Sequence, residues 1–217
     1  MKLNSQNFNE RITATSIFFE NALGDPEMLS GFENHGYTAE KLGEGKTVLD
    51  VVQQKQITKN TAHAAKHAAT QIFRTNRQAA HKCFMRLVGF SNVAFSADTE
   101  TREKLSIHKR IPAKYADWLI TVEQFYTVLL ADESLQTKLA AIGVKLEEIQ
   151  AGQQLVLDTK AAANARVQKD GKAQQSTKER NIEFHKLEDF MSNCISIAKL
   201  AFADKPQFLE RLGIVKR

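Results

Sequence analysis

The amino-acid sequence predicts an all-α fold, an internally duplicated helical bundle, and three observations carry that prediction. Breakers are scarce, with 3 Pro and 10 Gly in 217 residues, while Ala, Gln, Lys, Leu and Glu abound. That balance favours long helices over strands. Apolar residues recur at helical spacing: Trp118, Val122, Phe125, Tyr126 and Leu129 form the stripe of an amphipathic helix. Finally, the chain matches itself without a gap at a shift of 107 positions.

Phe18 meets Phe125, Asp25 meets Asp132, Gly36 meets Gly143 and Gly45 meets Gly152 in that register. Ala94-Phe95 meets Ala201-Phe202, and Lys109-Arg110 meets Lys216-Arg217. Between residues 16 and 110 only 14 of 95 positions are identical. Their type decides the matter, because most are caps, glycines or core apolar residues, the places where a helical unit is specified. The expected division is residues 1–110 as a first helical repeat and 111–217 as a second. The two form either separate small bundles or one merged bundle.

Each repeat opens with an amphipathic helix, expected at 8–23 and 115–130. A short helix follows. Asp25 can accept the unpaired first-turn amides, Pro26 sits where a missing N–H does no harm, and Gly36 supplies a left-handed stop. Tyr37 is then placed to touch Phe32; Asp132, Gly143, Val144 and Leu139 are the second set. The next helix begins near Thr38 and Lys145. Its glycines, Gly45 and Gly152, each cost about 1 kcal/mol relative to Ala, so their recurrence implies close approach of another helix. A further helix buries Phe84, Leu87, Val88, Ser91 and Phe95, or Met191, Cys194, Ile195, Ala198 and Phe202. Between these two helices large apolar residues thin out, and Asp170-Gly171 is a turn signal. A long helical hairpin is expected there, its tip within 60–72 and 167–179. A last short helix follows Asp98 and Asp204.

Composition excludes several classes. The strongest apolar run, Phe125 to Ala131, falls far short of the roughly 20 residues that span a bilayer. Met1 to Thr13 has no apolar stretch of a secretory signal. Cys83 and Cys194 occupy slots that the other repeat fills with Phe190 and Leu87, so each reads as a small apolar residue. A cytoplasmic chain is the expectation.

The unusual stretch is residues 51–97. It carries seven Lys/Arg, three His and no Asp or Glu, whereas residues 158–204 carry eight basic and seven acidic residues. Lys55, Lys59, Lys66, Arg74 and Arg77 fall near helical steps and are the candidate anion-binding residues, suited to phosphates of nucleic acid or anionic lipid. The plainer account is a solvated face, or one paired with acids such as Glu40, Glu44, Glu147, Glu148 or Glu183. Only Phe73 and Phe84 interleave with the stripe, which argues against base stacking and so against nucleic acid. His63 and His67 stand four apart, as metal ligands can, but no acid lies near them in sequence. The sequence therefore names no catalytic residue, no metal site and no cofactor.

The acidic cap, Gly-apolar stop, Ala-Phe and Glu210-Arg211-Leu212-Gly213-Ile214 together resemble an uncharacterised family of bacterial all-helical proteins made of two similar halves. The likeness spans nearly the whole chain, is architectural, and implies no activity or site residues. In the first repeat Ser106 stands where Gly213 closes the second. The function expected is a non-catalytic structural or protein-interaction module, with an unknown protein partner or self-association. A binder of anionic polymer or membrane surface, and a metal-dependent enzyme in the bundle interior, are the alternatives.

Overall fold

In a computed structural model that describes residues 7–214, every regular element is α-helical. They are α1 (Phe8–Gly24), α2 (Pro26–Glu33), α3 (Ala39–Ala94), α4 (Thr99–Lys104), α5 (Tyr115–Ala131), α6 (Glu133–Ala140), α7 (Leu146–Ala201) and α8 (Pro206–Arg211). The Lys216-Arg217 match and residues 1–6 of the signal reading lie outside the described residues.

Local chemistry sets the short elements. Asn7 and Glu10 form a reciprocal capping box on α1. Asp25 caps α2 by accepting from the amides of Glu27 and Met28, with Pro26 in the first turn, and Asp132 does the same for α6 through Ser134 and Leu135. Both stops are left-handed glycines, Gly36 at φ 77° and Gly143 at φ 90°. The amide of Tyr37 donates to the Phe32 carbonyl at 3.0 Å and that of Val144 to Leu139 at 3.1 Å, the closing bonds of a Schellman turn. One cap departs from expectation: α8 begins after Lys205, not Asp204, and no side chain caps it.

The expected hairpin does not form. Residues 39–94 are one continuous helix of 56 residues, and residues 146–201 are another. Asp170-Gly171 lies inside α7. No proline interrupts either stretch, the Ala-rich run at 62–69 favours helix, and a lone Gly costs only about 1 kcal/mol. Large apolar residues are few there because small side chains and ion pairs replace them.

The chain divides into two compact units that do not coincide with the halves 1–110 and 111–217. Unit 1 takes the chain up to His63 together with the chain from Lys172 onward, and unit 2 is Ala64–Gly171. Unit 1 gathers Phe18, Phe19 and Ala22 of α1, Met28 and Phe32 of α2, Leu42, Leu49 and Val52 of α3, Met191 and Cys194 of α7, and Leu209 of α8 around one core. Here α3 and α7 run antiparallel, joined by Lys55–Glu179 at 2.8 Å and His63–Thr177 at 3.0 Å. Unit 2 builds its core from Phe84 and Leu87 of α3, Phe95 just beyond its end, Leu105 at the end of α4, Trp118, Phe125 and Tyr126 of α5, Leu139 of α6, and Ile149 and Val156 of α7. Its long-helix segments meet through Lys66–Asp170 at 2.6 Å and Asn76 donating to the Asp158 carbonyl at 3.4 Å.

The two recurring glycines are where aromatic rings press on a helix. A Cβ on Gly45 would collide with Phe19 and Phe190, and one on Gly152 would collide with Tyr126. Cys194 is fully buried, and burial pushes its thiol up to about 12. Cys83 is half-buried.

Two expectations follow for stability. Ser106 adopts φ 57° where Gly213 adopts 72°, a conformation that costs an L-residue about 1 kcal/mol. Ser106→Gly should therefore raise stability by about 1 kcal/mol, read as a higher midpoint in a thermal melt. Asp25, Asp98 and Asp132 are held below the usual carboxylate range, Asp25 and Asp98 chiefly by amides of their own helices and Asp132 chiefly by Ser134. A carboxyl whose folded value is depressed stabilises above its unfolded value, near pH 4, and loses that contribution as pH falls further. The triple Asn variant should show a shallower loss of stability below pH 4 in an acid titration followed by circular dichroism.

Candidate functional site

Helical spacing places six side chains of α3 on one face of unit 2: Thr70, Phe73, Arg74, Arg77, Gln78 and His81. They line a cleft of about 650 Å³. Arg166 reaches it from α7, and Ile111, Pro112, Ala113 and Trp118 close it from the start of α5 and the segment before it. No carboxylate is among these residues.

Two of the three arginines lie over aromatic surface. Arg77 sits 5.6 Å from the Trp118 ring centre and 5.8 Å from that of Tyr115, and Arg166 sits 4.6 Å from that of Phe73. Phe73 and Tyr115 meet edge to face at 5.1 Å, and Tyr115 stacks beside Trp118 at 6.1 Å. Rings beneath guanidinium groups offer a negative face that holds the cation without neutralising its charge. Arg77 is further fixed by donating to the Ala113 carbonyl at 2.6 Å. Trp118 and Phe73 are 1% and 5% exposed. The cleft therefore presents guanidinium groups, not ring faces, to a ligand.

His81 brings an imidazole to the lining of the cleft. The indole N–H of Trp118 donates to its Nδ1 at 3.1 Å. Because an indole nitrogen can only donate, His81 Nδ1 is the acceptor, and its proton resides on Nε2.

The five candidate cations have different fates. Lys55 is spent on Glu179, a pairing that raises the lysine and lowers the carboxyl from their ordinary values. Lys66 is spent on Asp170. Lys59 belongs to unit 1 and makes no ion pair among the described residues. Only Arg74 and Arg77 line the cleft, and neither they nor Arg166 has a carboxylate within salt-bridge distance among the described residues. The paired-face account thus holds for two of the five, with Glu179 and Asp170, and Arg86 of the same acid-free stretch pairs with Glu148, one of the expected acids, at 3.1 Å.

Arg166 and Trp118 were not among the candidates. Arg166 lies outside the acid-free stretch, and only the antiparallel register of α3 and α7 brings it to Arg74. Among the described residues no three His, Cys, Asp or Glu side chains gather where they could hold a metal ion, and no helix is long and apolar enough to cross a membrane.

Unit 1 treats its corresponding positions differently. Arg11 lies 4.8 Å from the Phe184 ring centre and Arg180 lies 4.5 Å from that of Phe8, and burial lowers both guanidinium groups from their ordinary value. There Arg11 is paired with Glu188. Comparison of the chain with protein-family models, with curated proteins and with solved structures gives no match.

The two kinds of ion pair should respond differently to substitution. Glu188→Gln strips the counter-charge from a guanidinium whose side chain is 19% exposed and should cost about 1–3 kcal/mol. Lys66→Ala breaks a more open pair and should cost less than about 1 kcal/mol. Urea denaturation of both variants measures the difference.

Proposed function

We propose that the chain is a non-catalytic binding module that holds an anion in the unit 2 cleft. One observation carries this reading: Arg74, Arg77 and Arg166 converge on one cavity whose lining has no acid. Arg74 and Arg166 are exposed and Arg77 is half-buried, so an anion entering the cleft meets three guanidinium groups with no acid in the lining to compete for them. Docking of a protein partner, or self-association, has less behind it. The exposed large apolar side chains, such as Ile17, Val93, Ile120 and Leu200, are spread over α1, α3, α5 and α7, and scattered apolar residues need no partner to explain them.

We further propose that the scaffold arose by duplication. Helix lengths of 17, 8, 56 and 6 residues occur in order and then occur again, each element of the second series starting 107 positions after its counterpart. Gly36 and Gly143 share a left-handed φ, as do Ser106 and Gly213, which supports the same register.

A thermal-shift panel of phosphate, pyrophosphate, heparin and single-stranded DNA tests the binding. At least one anion should raise the melting point at low salt, and the effect should fade as salt rises. In the double variant Arg74→Ala/Arg166→Ala, both exposed, the shift should vanish with helix content unchanged. No shift with any anion, or an undiminished shift in the double variant, overturns the reading.

A further inference from the structure

The charge balance around the cleft says which anion fits. At positions 107 apart the two units keep the same parts and exchange their places. Arg11 over Phe184 in unit 1 corresponds to Trp118 under Arg77 in unit 2. The bond between Arg11 and Glu188 corresponds to that between Trp118 and His81. Both units thus pair a guanidinium with a ring and tie one partner to the long helix beside it. Only unit 1 supplies a carboxylate. In unit 2 that position is His81, and Arg77 has just the Ala113 carbonyl.

We infer, resting on the anion-binding reading above, that the cleft takes a compact organic phosphate, the phosphomonoester or pyrophosphate group of a small molecule, and not an anionic polymer. The three guanidinium groups come from separate positions on two helices. A planar carboxylate has two oxygens and is satisfied by one arginine fork, whereas a phosphoryl group carries three acceptor oxygens and up to two charges. The Nε2–H of His81 is one more donor. The cavity of about 650 Å³ falls within the roughly 300–1,000 Å³ of small-molecule sites.

A polymer needs a basic groove that continues past the site. Here the adjoining pocket of about 250 Å³ shares Thr70 and Arg166 with the cleft but is edged by Asp170, and that carboxylate also consumes Lys66. On that side the basic lining therefore ends at an acid, Asp170, one helical turn beyond Arg166.

Calorimetric titration of the full chain with pyrophosphate, malonate and a single-stranded DNA 12-mer decides the matter. Pyrophosphate should bind one to one, at least tenfold tighter than malonate or the 12-mer. Arg166→Gln should weaken it at least tenfold. His81→Glu, which puts a carboxylate where Glu188 stands in unit 1, should also weaken pyrophosphate at least tenfold while the melting temperature holds or rises. His81→Gln should retain binding within about threefold, because it keeps a donor and adds no charge. If the 12-mer or malonate binds in an Arg74- and Arg166-dependent way and pyrophosphate does not, this inference falls and the anion-binding reading stands. If no anion binds, both fall. Binding unaffected by His81→Glu also overturns it.

Discussion

Everything in the architecture depends on α3 and α7 not turning. An α-helix satisfies its own backbone hydrogen bonds and ends only where a cap, a proline or a left-handed residue lets it. Between 39 and 94 nothing of that kind occurs, so the apolar residues toward the two ends of α3 are served by different partners. Leu42, Leu49 and Val52 join a core with Met191 and Cys194, while Phe84, Leu87 and Phe95 join one with Phe125 and Tyr126. Neither half of the chain closes a core from its own residues. The short helices then fall into place as covers, positioned by caps that cost little and act locally.

The stretch in between, poor in large apolar residues, is held by other means. Within each unit the facing segments of α3 and α7 are joined by pairs such as Lys55–Glu179 and Lys66–Asp170. Surface pairs of this kind contribute at most about 1 kcal/mol each. Their role is to set register more than to add stability, because a helix slipped by one turn would set Lys66 against the wrong neighbour. The same register brings Arg166 to the face of α3 that carries Arg74 and Arg77. The cleft is thus a by-product of alignment between two helices far apart in sequence.

What could be read from residues alone follows this division. The short helices were legible because Asp25-Pro26, Gly36 and their counterparts act within a few residues, and their chemistry does not depend on the tertiary context. The buried faces were legible from periodicity. The hairpin was misread because Asp170-Gly171 is a turn only if the flanking residues can leave the helix, and here paired neighbours on both sides hold them in it. The cleft was half legible: a run without acids pointed to Arg74 and Arg77, but nothing in a linear stripe distinguishes them from Lys55 and Lys66, whose acids lie more than 100 residues away. Arg166 required the fold.

The interleaving of the two units also orders their completion during synthesis. Unit 2 is contiguous in the chain, Ala64–Gly171, and has all its parts once residue 171 has left the ribosome. Unit 1 starts first and finishes last, since its core needs Met191, Cys194 and Leu209. At roughly 5–20 residues per second, Phe18, Phe19 and Phe32 wait some seconds longer than any residue of unit 2 for the surface that covers them. A nascent chain of this protein therefore carries its aromatic α1 and α2 uncovered until α7 and α8 follow, and any chaperone that attends it has that segment to guard.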